Sequence, residues 1–179
     1  MNLRQTNIYG PKLIFQNKVI FCQIGKNGTT LSFKKKEGDL KTPIGKWELG
    51  KIFIRRDKVK YLKLNKNIRK KIIYISKNYF WCDDSYNKNY NKLLINKKNP
   101  KSIIINGHEN LYRDDDAYDV IIEIKYNQRP IIRNKGSAIF MHCSFSNLSS
   151  TAGCVAIEKK HIIFLITILQ KKNYIYINI

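Results

Sequence analysis

Apolar and polar residues alternate along most of this chain, with the period of strands rather than helices. Residues 12–16 and 18–23 predict the two arms of a hairpin turning at Asn17. Gly25, Gly28, Gly38, Gly45 and Gly50 are spaced like strand ends, and further strands are expected over 51–55, 60–64 and 71–76. Residues 85–98 are rich in Asn, Lys and Tyr and read as a long surface loop; Asn99-Pro100 reads as a turn. Segment 118–126 alternates through Val120, Ile122 and Ile124, with Ile121 adding bulk, and predicts a strand. Another strand is predicted over 137–142, with His142 at its end. Residues 158–171 depart from this rhythm. Ile162, Ile163, Phe164, Leu165, Ile166, Ile168 and Leu169 fall at helical and near-continuous spacing, and a last strand follows at 174–179. Many strands and one main helix near the C-terminus predict a mainly β fold. With no internal repeat and no linker, residues 1–179 are expected to form a single compact domain.

Composition changes this picture little. The chain is long enough to bury a core, at 179 residues and 21.1 kDa. Its 34 basic and 13 acidic residues give a formal charge of +21, which points toward polyanions. The lysines are spread along the chain, however, and there is no Arg-rich arm or nucleic-acid motif, so no nucleic-acid partner is expected. No apolar run has the length of a membrane span. The first residues lack the apolar core of a signal peptide, so the chain as written is expected to be compatible with the cytoplasm. The four cysteines, Cys22, Cys82, Cys143 and Cys154, include no CxxC pair. They are too sparse for a disulfide scaffold. His108, His142 and His161 show no zinc-ligand spacing, so no metal or organic cofactor is expected. Cys22, inside Ile-Phe-Cys-Gln-Ile, reads as an inert core thiol, and Cys82 beside Trp81 as a structural one.

The candidate chemistry lies in residues 141–156, Met-His-Cys-Ser-Phe-Ser-Asn-Leu-Ser-Ser-Thr-Ala-Gly-Cys-Val-Ala. A polar loop joins His142 to Cys154, and the Cys follows a Gly and leads into an apolar run. Cys154 is the expected nucleophile and His142 the base that takes its proton. Gly153 permits a tight backbone, whose N–H groups would face a developing oxyanion. The net positive charge and His142 are expected to favour the thiolate. His108 is the competing histidine and reads as an exposed residue or a substrate contact.

His142 followed by Thr151-Ala152-Gly153-Cys154-Val155 resembles the catalytic signature of the L,D-transpeptidases, the YkuD-like family. Three further blocks are similar to segments of that family. They are Glu37-Gly38-Asp39-Leu40-Lys41-Thr42-Pro43-Ile44-Gly45-Lys46-Trp47, then Trp81-Cys82-Asp83-Asp84 with Tyr90-Asn91, then His108 to Asp115. The first is expected to be a structural turn before a strand. Ala156 departs from the Arg or Asn that the family often has there, and the loop before Cys154 is shorter than in many members. The resemblance implies a β-sandwich catalytic domain. It also implies that the main-chain carbonyl of Cys143 orients His142, while the Cys143 thiol points away. The expected substrate contacts are Ser150, Thr151, Arg113 and Trp81. Arg113 either holds a substrate carboxylate or forms a structural ion pair. Asp83, Asp84, Asp114, Asp115 and Asp116 either bind a cation or substrate ammonium, or pair locally and order loops. The implied reaction is acyl transfer on peptidoglycan stem peptides through a thioester, in the periplasm or cell envelope. Hydrolysis on the same scaffold and a non-catalytic polyanion-binding module are the alternatives. Nothing in the sequence sets an oligomeric state.

Overall fold

The computed structural model describes residues 5–9, 12–15, 18–62, 64–96, 107–144 and 150–178. Thirteen strands run in chain order among them. They are β1 (Gln5–Tyr9), β2 (Lys12–Phe15), β3 (Lys18–Gln23), β4 (Thr29–Leu31), β5 (Thr42–Ile54), β6 (Ile72–Tyr74), β7 (Tyr79–Cys82), β8 (Leu93–Ile95), β9 (His108–Asn110), β10 (Val120–Ile124), β11 (Phe140–Ser144), β12 (Val155–Glu158) and β13 (Tyr174–Asn178). One α-helix, α1 (Lys159–Ile168), lies between β12 and β13. The mainly β architecture with a single helix near the C-terminus is the one the periodicity predicts.

Ten strands form one continuous sheet ordered β10-β11-β12-β3-β2-β1-β13-β5-β4, with β6 on β5, and a further β10–β5 pairing closes the path on itself. Two strands turn the corners. Residues 45–48 of β5 pair with β13, while 49–54 pair with β10. Residues 18–21 of β3 pair with β2, while Cys22 and Gln23 pair with β12. Strands that change partner midway divide a closed sheet into two facing layers. A register shift between Ile122 and Ile124 marks the bend against β5. A separate small sheet, β8-β7-β9, stands beside this body.

The larger core is aliphatic. Leu13, Ile20, Leu49, Ile52, Ile54, Val120, Ile122, Ile124, Met141, Val155, Ile157, Ile175 and Ile177 meet Ile162, Leu165 and Ile166 of α1. The other face of β10, β11 and β5 carries Ile121, Phe140 and Phe53, which pack against Trp81, Leu111 and Tyr118. Burial on both faces explains why β10 is apolar at every position but Glu123 rather than cleanly alternating.

Several expectations need correction. Gly45 and Gly50 lie inside β5, which begins at Thr42, so the Thr-Pro-x-Gly-x-Trp block opens the strand rather than preceding it. Residues 60–62 and 64 form no strand. The chain turns back on the Arg55 carbonyl through the Lys58 and Val59 N–H groups, and Tyr61 is left 94 % exposed. Segment 85–96 is not all surface loop: Tyr90 and Asn91 are buried and β8 pairs with β7. His142 lies mid-strand in β11, not at its end. Asn17, Asn99-Pro100 and Ile179 fall outside the described residues. No helix among the described residues is long and apolar enough to cross a membrane.

Candidate active site

β11 and β12 run parallel, with His142 opposite Ala156, so Cys154 enters β12 beside the strand that carries the imidazole. Along β11 the side chains alternate. Met141 and Cys143 enter the aliphatic core, while Phe140 packs in the aromatic cluster and His142 lines a cavity on the other face. Cys154 lines the same cavity, which has a volume of about 340 Å³. Both residues therefore line one pocket, framed by the turn 35–40, residues 137–139 and the Ser150–Ala152 approach to the cysteine.

His142 Nδ1 lies 2.9 Å from the Cys143 carbonyl. A carbonyl only accepts, so Nδ1 carries the proton and Nε2 keeps its lone pair. Tyr118 packs edge-on against the imidazole at 5.3 Å, and the Arg113 guanidinium sits 5.0 Å from the centre of the Tyr118 ring. Burial is the main cause that drives the imidazole pKa down, to about 4. The Cys143 carbonyl opposes that shift and Arg113 adds to it.

The Cys154 S–H donates to the Ala138 carbonyl at 3.2 Å, and the sulfur accepts from the Phe140 N–H at 3.4 Å. Burial pushes this thiol up to about 12, with the Phe140 N–H pulling modestly the other way. The expectation of a field-stabilised thiolate is thereby overturned. Lys35 and Arg113 do pull the thiol down, but desolvation at the buried sulfur is the larger effect. The resting pair at neutral pH is thiol and neutral imidazole.

The backbone before Cys154 is fixed by Thr151. Its hydroxyl donates to the Cys154 carbonyl at 2.7 Å and accepts from the Gly153 N–H at 3.1 Å. Its main chain is tied to Ile24 and Lys26. This corrects two expectations. The Gly153 N–H is already engaged, so Gly153 supplies conformation rather than an oxyanion donor. Its φ of +138° suits glycine, and a Cβ there would meet the Lys41 carbonyl at 2.9 Å. The Thr151 hydroxyl is likewise spent on the turn, although Thr151 and Ser150 both line the cavity. Thr42 adds a hydroxyl that accepts from the Gly25 N–H at 2.8 Å and reaches the Cys154 carbonyl at 3.4 Å.

Trp81 stands behind the cavity rather than in its wall. It is 2 % exposed, packs edge-on against Phe140 at 5.1 Å and donates its indole N–H to Asn91 at 3.0 Å. A substrate contact by Trp81 is thus corrected to a supporting one. The same Asn91 oxygen accepts from the Ala138 N–H at 3.2 Å, and its amide donates to the Tyr126 and Asn127 carbonyls. Ala138 holds φ at +50°, unusual for a non-glycine residue, directly where its carbonyl receives the Cys154 thiol.

Arg113 lines the cavity, but its guanidinium is shared between Glu109 at 3.1 Å and Asp115. Of the aspartate run, Asp115 pairs with Arg113 and Asp116 pairs with Lys58 at 2.7 Å. Asp83 lines the cavity with a buried oxygen that has no hydrogen-bond partner, and burial followed by the charge of Glu109 raises its pKa. His108 lies on β9 outside the residues that frame the cavity. Sequence reasoning assigned no role to Lys35, Glu37, Tyr118 or Ala138 in this wall. Lys35 looked like one surface lysine among many, and Tyr118 like the start of a strand.

The chain matches the YkuD family, the L,D-transpeptidase catalytic domain, over residues 6–177, and it belongs to that family. No curated protein matches it. The family acts on peptidoglycan.

Proposed function

We propose that the protein is a cysteine-dependent L,D-transpeptidase that cross-links peptidoglycan stem peptides in the cell envelope through a thioester acyl-enzyme. The observation that carries this reading is one cavity framed by both Cys154 and an imidazole whose Nδ1 is pinned to the Cys143 carbonyl. In this reading Nε2 takes the Cys154 proton as sulfur attacks the carbonyl of the bond before the terminal residue. Coupling the two events avoids forming a free thiolate in a site that disfavours one. The oxyanion develops beside the Cys154 main-chain N–H. Nε2 then returns the proton to the departing amine, and the terminal residue leaves as the thioester forms. A second stem's amine attacks the thioester, gives a proton to Nε2 and releases the thiol with a new amide bond. Ser150 lines the cavity in which these steps run.

The test is mass spectrometry of products from purified tetrapeptide muropeptides. Cross-linked dimers that have lost the terminal residue are expected from the wild type and not from Cys154→Ala. Trimmed tripeptides alone would make the enzyme a hydrolase. Equal product from Cys154→Ala would remove the assignment.

A further inference from the structure

Lys35 is the one buried lysine among the described residues of a chain with a formal charge of +21. Its side chain is 2 % exposed and lines the cavity that holds Cys154. Burying an ammonium is costly, so lysines are almost never fully buried unless paired. Its Nζ donates to Asp39 at 2.5 Å and to the Lys36 carbonyl at 2.9 Å. An ammonium has three donors, and those two bonds use two of them. The ammonium is not the only tie of this loop: Asp39 also accepts the main-chain N–H groups of Lys36 and Lys41, both at 2.9 Å, and the Glu37 N–H donates to the Asn134 carbonyl. Asp39 then serves Lys35 as the counter-charge that keeps it ionised where it is buried.

The opposite packing surface is shaped around the same side chain. Gly136 holds φ at +93°, and a Cβ there would come within 3.1 Å of the Lys35 stem. The neighbouring Ser137 hydroxyl is turned to Glu37 at 2.8 Å. Arg113, the other cation of the wall, has its guanidinium divided between Glu109 and Asp115. Its capacity for a new bidentate anion is already taken.

Resting on the transpeptidase reading above, we propose that Lys35 is the carboxylate anchor of this cavity. Its remaining N–H donates to the free α-carboxylate at the end of the donor peptide. That carboxylate belongs to the residue that leaves, and it lies one residue beyond the carbonyl attacked by Cys154. A single residue spans about 3.8 Å between Cα atoms, so one cavity accommodates both the attacked carbonyl and the anchored end. Lys35 is thus a specificity-determining residue, which restricts attack to the last bond of a peptide with a free terminus.

The experiment compares kcat/KM for a tetrapeptide stem with that for the same stem bearing a C-terminal carboxamide. The wild type is expected to prefer the free acid by about 10- to 100-fold, the worth of one charge-assisted hydrogen bond. Lys35→Met combined with Asp39→Asn removes both charges together, and the preference is expected to fall to about twofold or less. Arg113→Gln is expected to retain it. Equal turnover of acid and amide by the wild type overturns the anchor alone, with no variant needed. A preference kept in the double variant, or lost in Arg113→Gln, does the same. No turnover of either peptide by the wild type removes the functional reading and the anchor with it.

Discussion

The two buried clusters of this molecule are built on opposite principles. The larger lies between the sheet layers and α1 and is almost wholly aliphatic, with Ile, Leu and Val drawn from six strands and the helix. The smaller, behind the cavity, is aromatic. Phe53, Trp81, Phe140, Tyr118 and His142 meet in a chain of edge-to-face contacts. Through Asn91 and Ala138 this cluster is threaded by hydrogen bonds that end at the Cys154 sulfur. Aliphatic packing is non-directional and tolerates exchange of similar volumes. Rings and hydrogen bonds are directional, so the smaller cluster specifies atomic positions. The body is built for stability, and geometry is held in the thin layer behind the nucleophile.

The contrast is tested most severely at the nucleophile. Cys154→Ala is expected to bring turnover on tetrapeptide stems to background while the melting temperature moves only a few degrees, as read by product analysis and calorimetry. Unfolding on that change would mean that the sulfur is itself a packing element. His142→Ala is next, with an expected loss of about 10²–10⁴-fold in rate at neutral pH, the usual share of a positioned base. Burial keeps that imidazole neutral down to about pH 4, so the acid limb of kcat/KM in the wild type is expected near pH 4 rather than 6.5.

The same burial links pH to stability. Between pH 6.5 and about 4 the unfolded chain binds a proton at His142 that the folded chain refuses. Stability is therefore complete above pH 6.5 and is lost as pH falls, by about 3 kcal/mol at pH 4. Denaturant melts across this window should show the slope in the wild type and a smaller one in His142→Gln. Asn91→Ala probes the threaded network and strands the Trp81 and Ala138 N–H groups. It is expected to cost about 2 kcal/mol and to lower kcat as Ala138 relaxes. Ile122→Val in the aliphatic core should cost about 1 kcal/mol and leave kcat unchanged. If these last two variants altered rate in equal proportion to stability, the division between the clusters would collapse.

Legibility in the sequence followed the same division. Strands β2, β3 and β13 and helix α1 were readable because one-sided burial imposes a period on side-chain polarity. The period failed where burial has two sides, in β10, and where a strand bends through glycines, in β5. His142 and Cys154 were legible because a short loop joins them in sequence. The rest of the cavity wall is assembled from distant segments. Lys35 meets residue 136, Tyr118 meets 142 and Asn91 meets 138, and no local pattern marks such encounters. The state of the thiol was misread for a related reason. Net charge is a property of the whole chain, whereas the ionisation of Cys154 is decided by its own desolvation.

The position of β13 governs how the chain can acquire its fold. This strand lies between β1, which it joins in parallel, and β5, which it joins antiparallel, although both are made far earlier. The large sheet therefore cannot close until its last strand has been synthesised, and its contacts have long sequence separation. Such topologies fold slowly, because loop-closure entropy is met before the pairing energy returns. On the ribosome, β1 and β5 wait with open edges, the condition in which sheets recruit strands from other chains. Residues 174–178 thus act as the keystone of a ring, and a nascent chain that stalls before them is the species that a chaperone would have to hold.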